Sequence, residues 1–168
     1  MDKLDFIQRR FQNHNVSHDS LFQLVFVNFY QLRYVNSEFK SKFFKLLEDR
    51  KKHPTLNPAN YAEKLYATAG KTFQFSFISK LCATADPTHP IFDSHIKSFY
   101  KLKRPRYDQR KDLKKFFDEI RVESEKILSN PKIKKMIRAV RDEFHFATEE
   151  IIPDLRLIDL FIYHANLK

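Results

Sequence analysis

The chain has 168 residues, with 31 Lys and Arg against 21 Asp and Glu and a formal net charge of +10. It is long enough to bury a core without disulfides or metals, and its charge favours an anionic partner such as nucleic acid. A single Gly and a single Cys exclude Gly-rich phosphate loops, dinucleotide-binding loops and an intrachain disulfide framework.

Leu4, Ile7 and Phe11 recur at helical spacing and predict a short first helix. His18, Asp19 and Ser20 are candidate caps for a second, running to about Val35, with Leu21, Leu24, Val25, Asn28, Phe29 and Leu32 on its inward face. Ser37 is the expected cap of a third, whose Phe39, Phe43, Leu46 and Leu47 share one face. That helix ends in Glu48-Asp49-Arg50-Lys51-Lys52, which places cations near the negative end of its dipole. After a loop from His53, Pro58 suits the first turn of a helix reaching about Ala69, stopped by Gly70 at its C′ position.

The next helix is predicted from about Phe73 to Ala83, with Phe75, Ile78, Leu81 and Cys82 inward. Asp86 to Pro90 breaks it, and a further helix begins near Ile91, capped by Asp93 or Ser94. Lys101 to Asp108 reads as a connector. Gln109 to Ser129 reads as a long amphipathic helix on Leu113, Phe116, Phe117, Ile120, Ile127 and Leu128. Pro131 opens another, to about Phe146, and Asp154 opens the last, with Leu155, Ile158, Leu160, Phe161 and Ile162 inward. There is no internal repeat or low-complexity linker. The expectation is one all-α domain over residues 1–168, of roughly eight to ten helices.

Met1 to Asn15 carries charges throughout and lacks the apolar stretch of a secretory signal. No run approaches the roughly 18 apolar residues of a membrane span. A cytoplasmic protein with no membrane partner is therefore expected.

Three features carry candidate chemistry. Asp93, at a helix start, reads as an ordinary N-cap or as a carboxylate held ionised for stabilising a cation or orienting a water, and the two roles can coexist. Lys80, among Phe77, Ile78, Leu81 and Cys82, is either a partly buried amine available as a nucleophile or a structural or surface lysine. Lys71 is an alternative amine with the same two readings. His89 and His95 flank Asp93, but their spacing matches no standard ligand set, so no metal and no cofactor are expected. Cys82 reads as a small buried hydrophobe.

The third feature is basic. Lys97, Lys101, Lys103, Arg104, Arg106, Arg110, Lys111, Lys114 and Lys115 face only Asp108 and Asp112 in their stretch, with Tyr100 and Tyr107 interleaved. Cations interleaved with aromatics suit phosphate contact and base stacking; a solvated charged face is the plainer reading. A second cluster comprises Lys132, Lys134, Lys135, Arg138 and Arg141.

The string Pro90-Ile91-Phe92-Asp93-Ser94-His95-Ile96 resembles the Val-Asp-Thr-His segment of helix-hairpin-helix DNA glycosylases of the endonuclease III type. It is also similar to a Ser-Lys … Pro-Ile-Tyr-Asp-Ser pattern of uncharacterised bacterial proteins, which implies no function. The glycosylase resemblance spans residues 70–99 and implies that Asp93 is the catalytic carboxylate. It further implies a flipped base, Lys80 or Lys71 attacking the sugar, and Lys97, Lys101, Arg104 and Arg106 on phosphates. Of that family's Leu-Pro-Gly-Val-Gly hairpin only Gly70-Lys71-Thr72 is similar, with Lys71 lying 22 residues before Asp93 where the family has about 18, and no iron–sulfur cysteine set is present. The expected function is nucleic-acid binding, with DNA the expected form, as a base-excision glycosylase-like hydrolase using Asp93; the alternative is a non-enzymatic basic all-α module that binds nucleic acid or a protein partner, such as a phage, plasmid or host-defence factor.

Overall fold

A computed structural model describes residues 2–32, 35–53, 57–66, 74–102, 112–144 and 152–165. Among the described residues there are nine helices and no strand, which agrees with the all-α expectation. The chain divides into two compact units, Met1–Asp86 and Pro87–Lys168.

The first unit contains α1 (Asp2–Asn13), α2 (Ser20–Phe29), α3 (Ser37–Arg50), α4 (Pro58–Tyr66) and α5 (Phe75–Ala85). Helix α1 packs on α2 and α5, and α5 also packs on α3 and α4. The core is aromatic, in a chain with 18 Phe and no Trp. Phe26 lies 4.6 Å from Tyr30, 5.6 Å from Phe43 and 5.5 Å from Phe44 between ring centroids. Phe39 carries the cluster on to Phe77 at 5.3 Å. Tilted and edge-on ring pairs of this kind contribute about 0.5–1.5 kcal/mol each beyond burial.

Two sequence expectations fail in this unit. Helix α2 turns Phe22 and Phe26 inward and leaves Leu21 and Leu24 50% and 59% exposed, and it ends at Phe29. Residues 20–32 carry no charge, so the apolar pattern runs around the whole helix, and ring burial against α3 decides the face. The cap of α3 is Asn36, whose side chain accepts from the Phe39 N–H at 2.7 Å, and Ser37 is the first helical residue. The cap of α2 is Asp19, one of the three candidates, accepting from Phe22 N–H at 2.9 Å.

The second unit contains α6 (Ser94–Phe99), α7 (Asp112–Ser129), α8 (Pro131–Phe144) and α9 (Asp154–Ala165). Helices α6 and α7 both pack on α9, and α7 packs on α8. A single residue, Asn130, joins α7 to α8; its side chain accepts from Lys132 N–H at 2.9 Å and Pro131 opens the helix. Gly70 and the predicted end of α4 lie outside the described residues.

The chain closes two helices without Gly. Among the described residues, Gln31 (φ 53°) and Lys101 (φ 54°) are the non-Gly positions in the left-handed region. Each is the C′ residue of a Schellman end: Leu32 N–H donates to Val27 C=O at 3.0 Å, and Leu102 N–H to Lys97 C=O at 3.0 Å. A side chain with a Cβ costs about 1–2 kcal/mol in that conformation. Gln31 offsets part of this cost, because its side-chain amide donates to Asn28 C=O at 2.8 Å. The Lys101 side chain is exposed and, among the described residues, bonds to nothing.

Candidate functional site

Asp93 caps α6. Its Oδ1 accepts from the N–H groups of His95 at 2.9 Å and Ile96 at 3.0 Å, and its backbone is extended. Those bonds satisfy two donors that a helix start otherwise leaves unpaired. The turn leading to it is pinned from α9. Arg156, 2% exposed, donates from Nε to Pro87 C=O at 2.9 Å and from Nη2 to His89 C=O. His89 is buried with Nδ1 at 3.0 Å from Pro90 C=O and its ring 4.8 Å from Phe117, which makes it a packing residue.

Arg156 also faces Asp159. Its Nη1 stands 2.6 Å from Asp159 Oδ2, out of line for a hydrogen bond, so charge holds the two together. Burial pushes the Asp159 carboxyl up to about 6, Arg156 opposes the rise, and the negative charge of Asp93 adds to it. The charge that reaches Asp159 from the α6 cap is therefore a second carboxylate. Tyr100, at the other end of α6, places its hydroxyl 3.2 Å from Ser124 Oγ. Burial raises its pKa; the Ser124 bond opposes this, and Asp159 and Glu123 reinforce it. His95 sets its ring edge-on to Tyr163 at 4.9 Å.

Lys80 belongs to the first unit and is buried there. Its Nζ donates to Tyr30 C=O at 3.1 Å and Ser76 Oγ at 3.0 Å, and lies 5.9 Å from the Phe77 ring centre. Tyr30 is the C-cap of α2, so this ammonium sits at the negative end of a helix dipole and does a structural job. Cys82 is fully buried, and that burial pushes its thiol up to about 12, against the nearby Arg50 charge and with a further push from Asp86. Such a thiol is inert at neutral pH. Lys71 lies outside the described residues. Among the described residues no group of three or more His, Cys, Asp or Glu could hold a metal ion, and no helix is long and apolar enough to cross a membrane.

Of the basic segment, Lys97, Lys101 and Tyr100 are described; Lys103, Arg104, Arg106 and Arg110 lie outside the described residues. Lys97 and Lys101 are exposed on either side of Phe99, whose ring is 49% exposed and meets Tyr100 edge-on at 5.2 Å. The solvent-facing ring is thus Phe99, and the Tyr100 ring is partly covered with its hydroxyl engaged.

Helix α8 shows the clearest charge pattern. Lys132, Lys134, Lys135 and Arg138 are all exposed and, among the described residues, none is in an ion pair. Asp142 and Glu143, also exposed, lie at its far end. This order opposes the helix macrodipole, which favours acids at the N-terminus and cations at the C-terminus by about 0.3–1 kcal/mol per charge. Arg141, by contrast, turns inward: it donates to Asp154 Oδ1 at 2.7 Å and to Ile152 C=O at 2.6 Å.

Sequence reasoning missed Arg156, Asp159 and Phe99. Arg156 and Asp159 are spaced i, i+3 amid Leu155, Leu157 and Ile158, a charged pair inside an apolar run, and that spacing was the available signal. Phe99 gave no signal, since a Phe at helical spacing reads as core. No family model, curated protein or solved structure matches the chain.

Proposed function

We propose that the protein is a non-enzymatic, cytoplasmic binding module for nucleic acid, with the cationic half of α8 as its principal phosphate contact. The observation that carries this reading is the charge order of α8. Two exposed cations, Lys132 and Lys134, sit in the first turn, where they weaken the helix, Lys135 and Arg138 continue the exposed run along it, and none of the four is in an ion pair among the described residues. Cations placed for fold stability would sit at the opposite end or beside carboxylates. Cations placed for a polyanion need only be exposed and close together.

The Asp93 geometry supports the same choice over a glycosylase. Its Oδ1 is committed to two cap N–H groups, its charged neighbour Asp159 is another carboxylate, and Lys80 is spent on Tyr30 C=O. The test is fluorescence anisotropy with a labelled oligonucleotide, DNA first and RNA second, over a salt series. Replacing Lys132, Lys134, Lys135 and Arg138 by Ala should weaken binding by roughly a hundredfold or more at 0.1 M salt and flatten its salt dependence. Equal affinity of variant and wild type overturns the proposal. Base release from a lesion-bearing duplex by the wild type but not by Asp93→Asn replaces it with the glycosylase reading.

A further inference from the structure

We propose that the C-terminal end of α6 is a stacking site for an unpaired nucleobase, with Phe99 as the platform and Lys97 and Lys101 contacting the flanking phosphates. The inference rests on the nucleic-acid reading above and narrows its ligand to single strands. Three observations converge on one short stretch.

First, Phe99 leaves half of its ring in solvent and braces the ring edge-on against Tyr100, which is itself fixed to Ser124. An exposed aromatic held rigid by a second ring loses little conformational freedom on binding. Second, exposed cations lie two residues to either side, and backbone bonds lock their spacing: Lys101 N–H to Ser98 C=O at 3.2 Å and Leu102 N–H to Lys97 C=O at 3.0 Å. Third, Lys101 occupies a left-handed position that Gly would fill without strain, and among the described residues its side chain makes no bond that offsets that strain. Gln31, in the matching position on α2, caps its own helix. The difference is explained if the Lys101 ammonium acts outward.

An apolar partner would leave these two ammonium groups facing oil, whereas a single strand supplies both a π-face and phosphates. A duplex supplies phosphates but keeps its bases stacked, so Phe99 discriminates between the two forms.

The experiment measures anisotropy with an oligothymidylate and with a duplex of equal length, plus fluorescence quenching of a strand carrying 2-aminopurine. The wild type should prefer the single strand and quench the 2-aminopurine. Phe99→Ala should weaken single-strand binding by about 5- to 100-fold, abolish the quenching, and leave duplex affinity and the salt slope unchanged. Phe99→Tyr should restore both. Lys101→Gly should raise the melting temperature while lowering the single-strand salt slope by about 0.7. If Phe99→Ala binds and quenches like the wild type while the α8 variant does not bind, the stacking site is wrong and the module reading stands. If the wild type binds no nucleic acid at low salt, both fail. A concentration-dependent dimer that Phe99→Ala dissolves, with strand binding intact, assigns the ring to a second copy and overturns the proposal.

Discussion

Helices α3 and α8 are each 14 residues long and differ in charge at their starts: α3 has Glu38 in its first turn, whereas α8 has Lys132 and Lys134 there and no acid. Helix α3 follows its dipole, with Asn36 as cap, Glu38 in the first turn and Arg50 in the last. Of its two late acids, Glu48 and Asp49, Glu48 accepts from Val16 N–H at 2.8 Å and from Lys51 Nζ at 2.7 Å. Helix α8 runs against its dipole and buries one described apolar residue, Ile137, where α3 buries five. The contrast separates two uses of sequence. In α3 the cap, the first-turn acid and five buried apolar residues serve the fold, whereas the exposed cations in the first turn of α8 work against it.

The sharpest way to test this contrast is to remove a core ring. Phe43 is fully buried and stacks among Phe26, Phe39 and Phe44. Phe43→Ala should cost about 3–5 kcal/mol in denaturant unfolding, yet leave the oligonucleotide affinity of the folded protein unchanged.

Helix α9 lies between the two cases, because its charges point inward. Asp159 is ordinarily near 3.8 and is raised to about 6 in the fold. A carboxyl raised on folding binds its proton more tightly in the native state. Its contribution to stability is complete below the ordinary value and is lost as pH rises through the folded one. Stability should therefore fall between about pH 4 and 6, and Asp159→Asn should flatten that part of the profile, read as melting temperature against pH. An unchanged slope in the variant would place the titration elsewhere.

The smallest effect is the most diagnostic. Lys132→Glu with Lys134→Glu puts acids where the α8 dipole favours them, and should stabilise the protein by about 0.3–1 kcal/mol per site while reducing nucleic-acid affinity. Opposite signs for stability and binding are what the inverted charge order requires. A loss of both would mean that these lysines hold the fold together.

What the sequence made legible follows the same division. The inward faces of α1 and α7 were readable because polar residues mark the outer side: Leu4, Ile7 and Phe11 are buried, as are Phe116, Phe117 and Ile120. Pro58, Pro131 and Asp154 marked helix starts through their own backbone chemistry. The α2 face was unreadable because the helix lacks any charge to orient it. Asp93 was legible as a cap, since Asp before Ser-His-Ile offers its oxygen to free N–H groups. Its neighbour Asp159 was not, because that proximity arises only when α6 packs on α9. Lys80 was open between amine chemistry and structure, and its bond to a carbonyl 50 residues earlier was not legible because only the fold brings the two together.

The reach of Arg156 also sets an order of events during synthesis. Its carbonyl partners, Pro87 and His89, precede it by 69 and 67 residues. A pairing so distant along the chain forms late, after local helices. While the ribosome is still making α7 and α8, the turn that delivers Asp93 has no guanidinium to hold it. A chain stopped before Arg156 would lack the guanidinium that donates to those carbonyls. The final helix is the part whose loss the turn feels first.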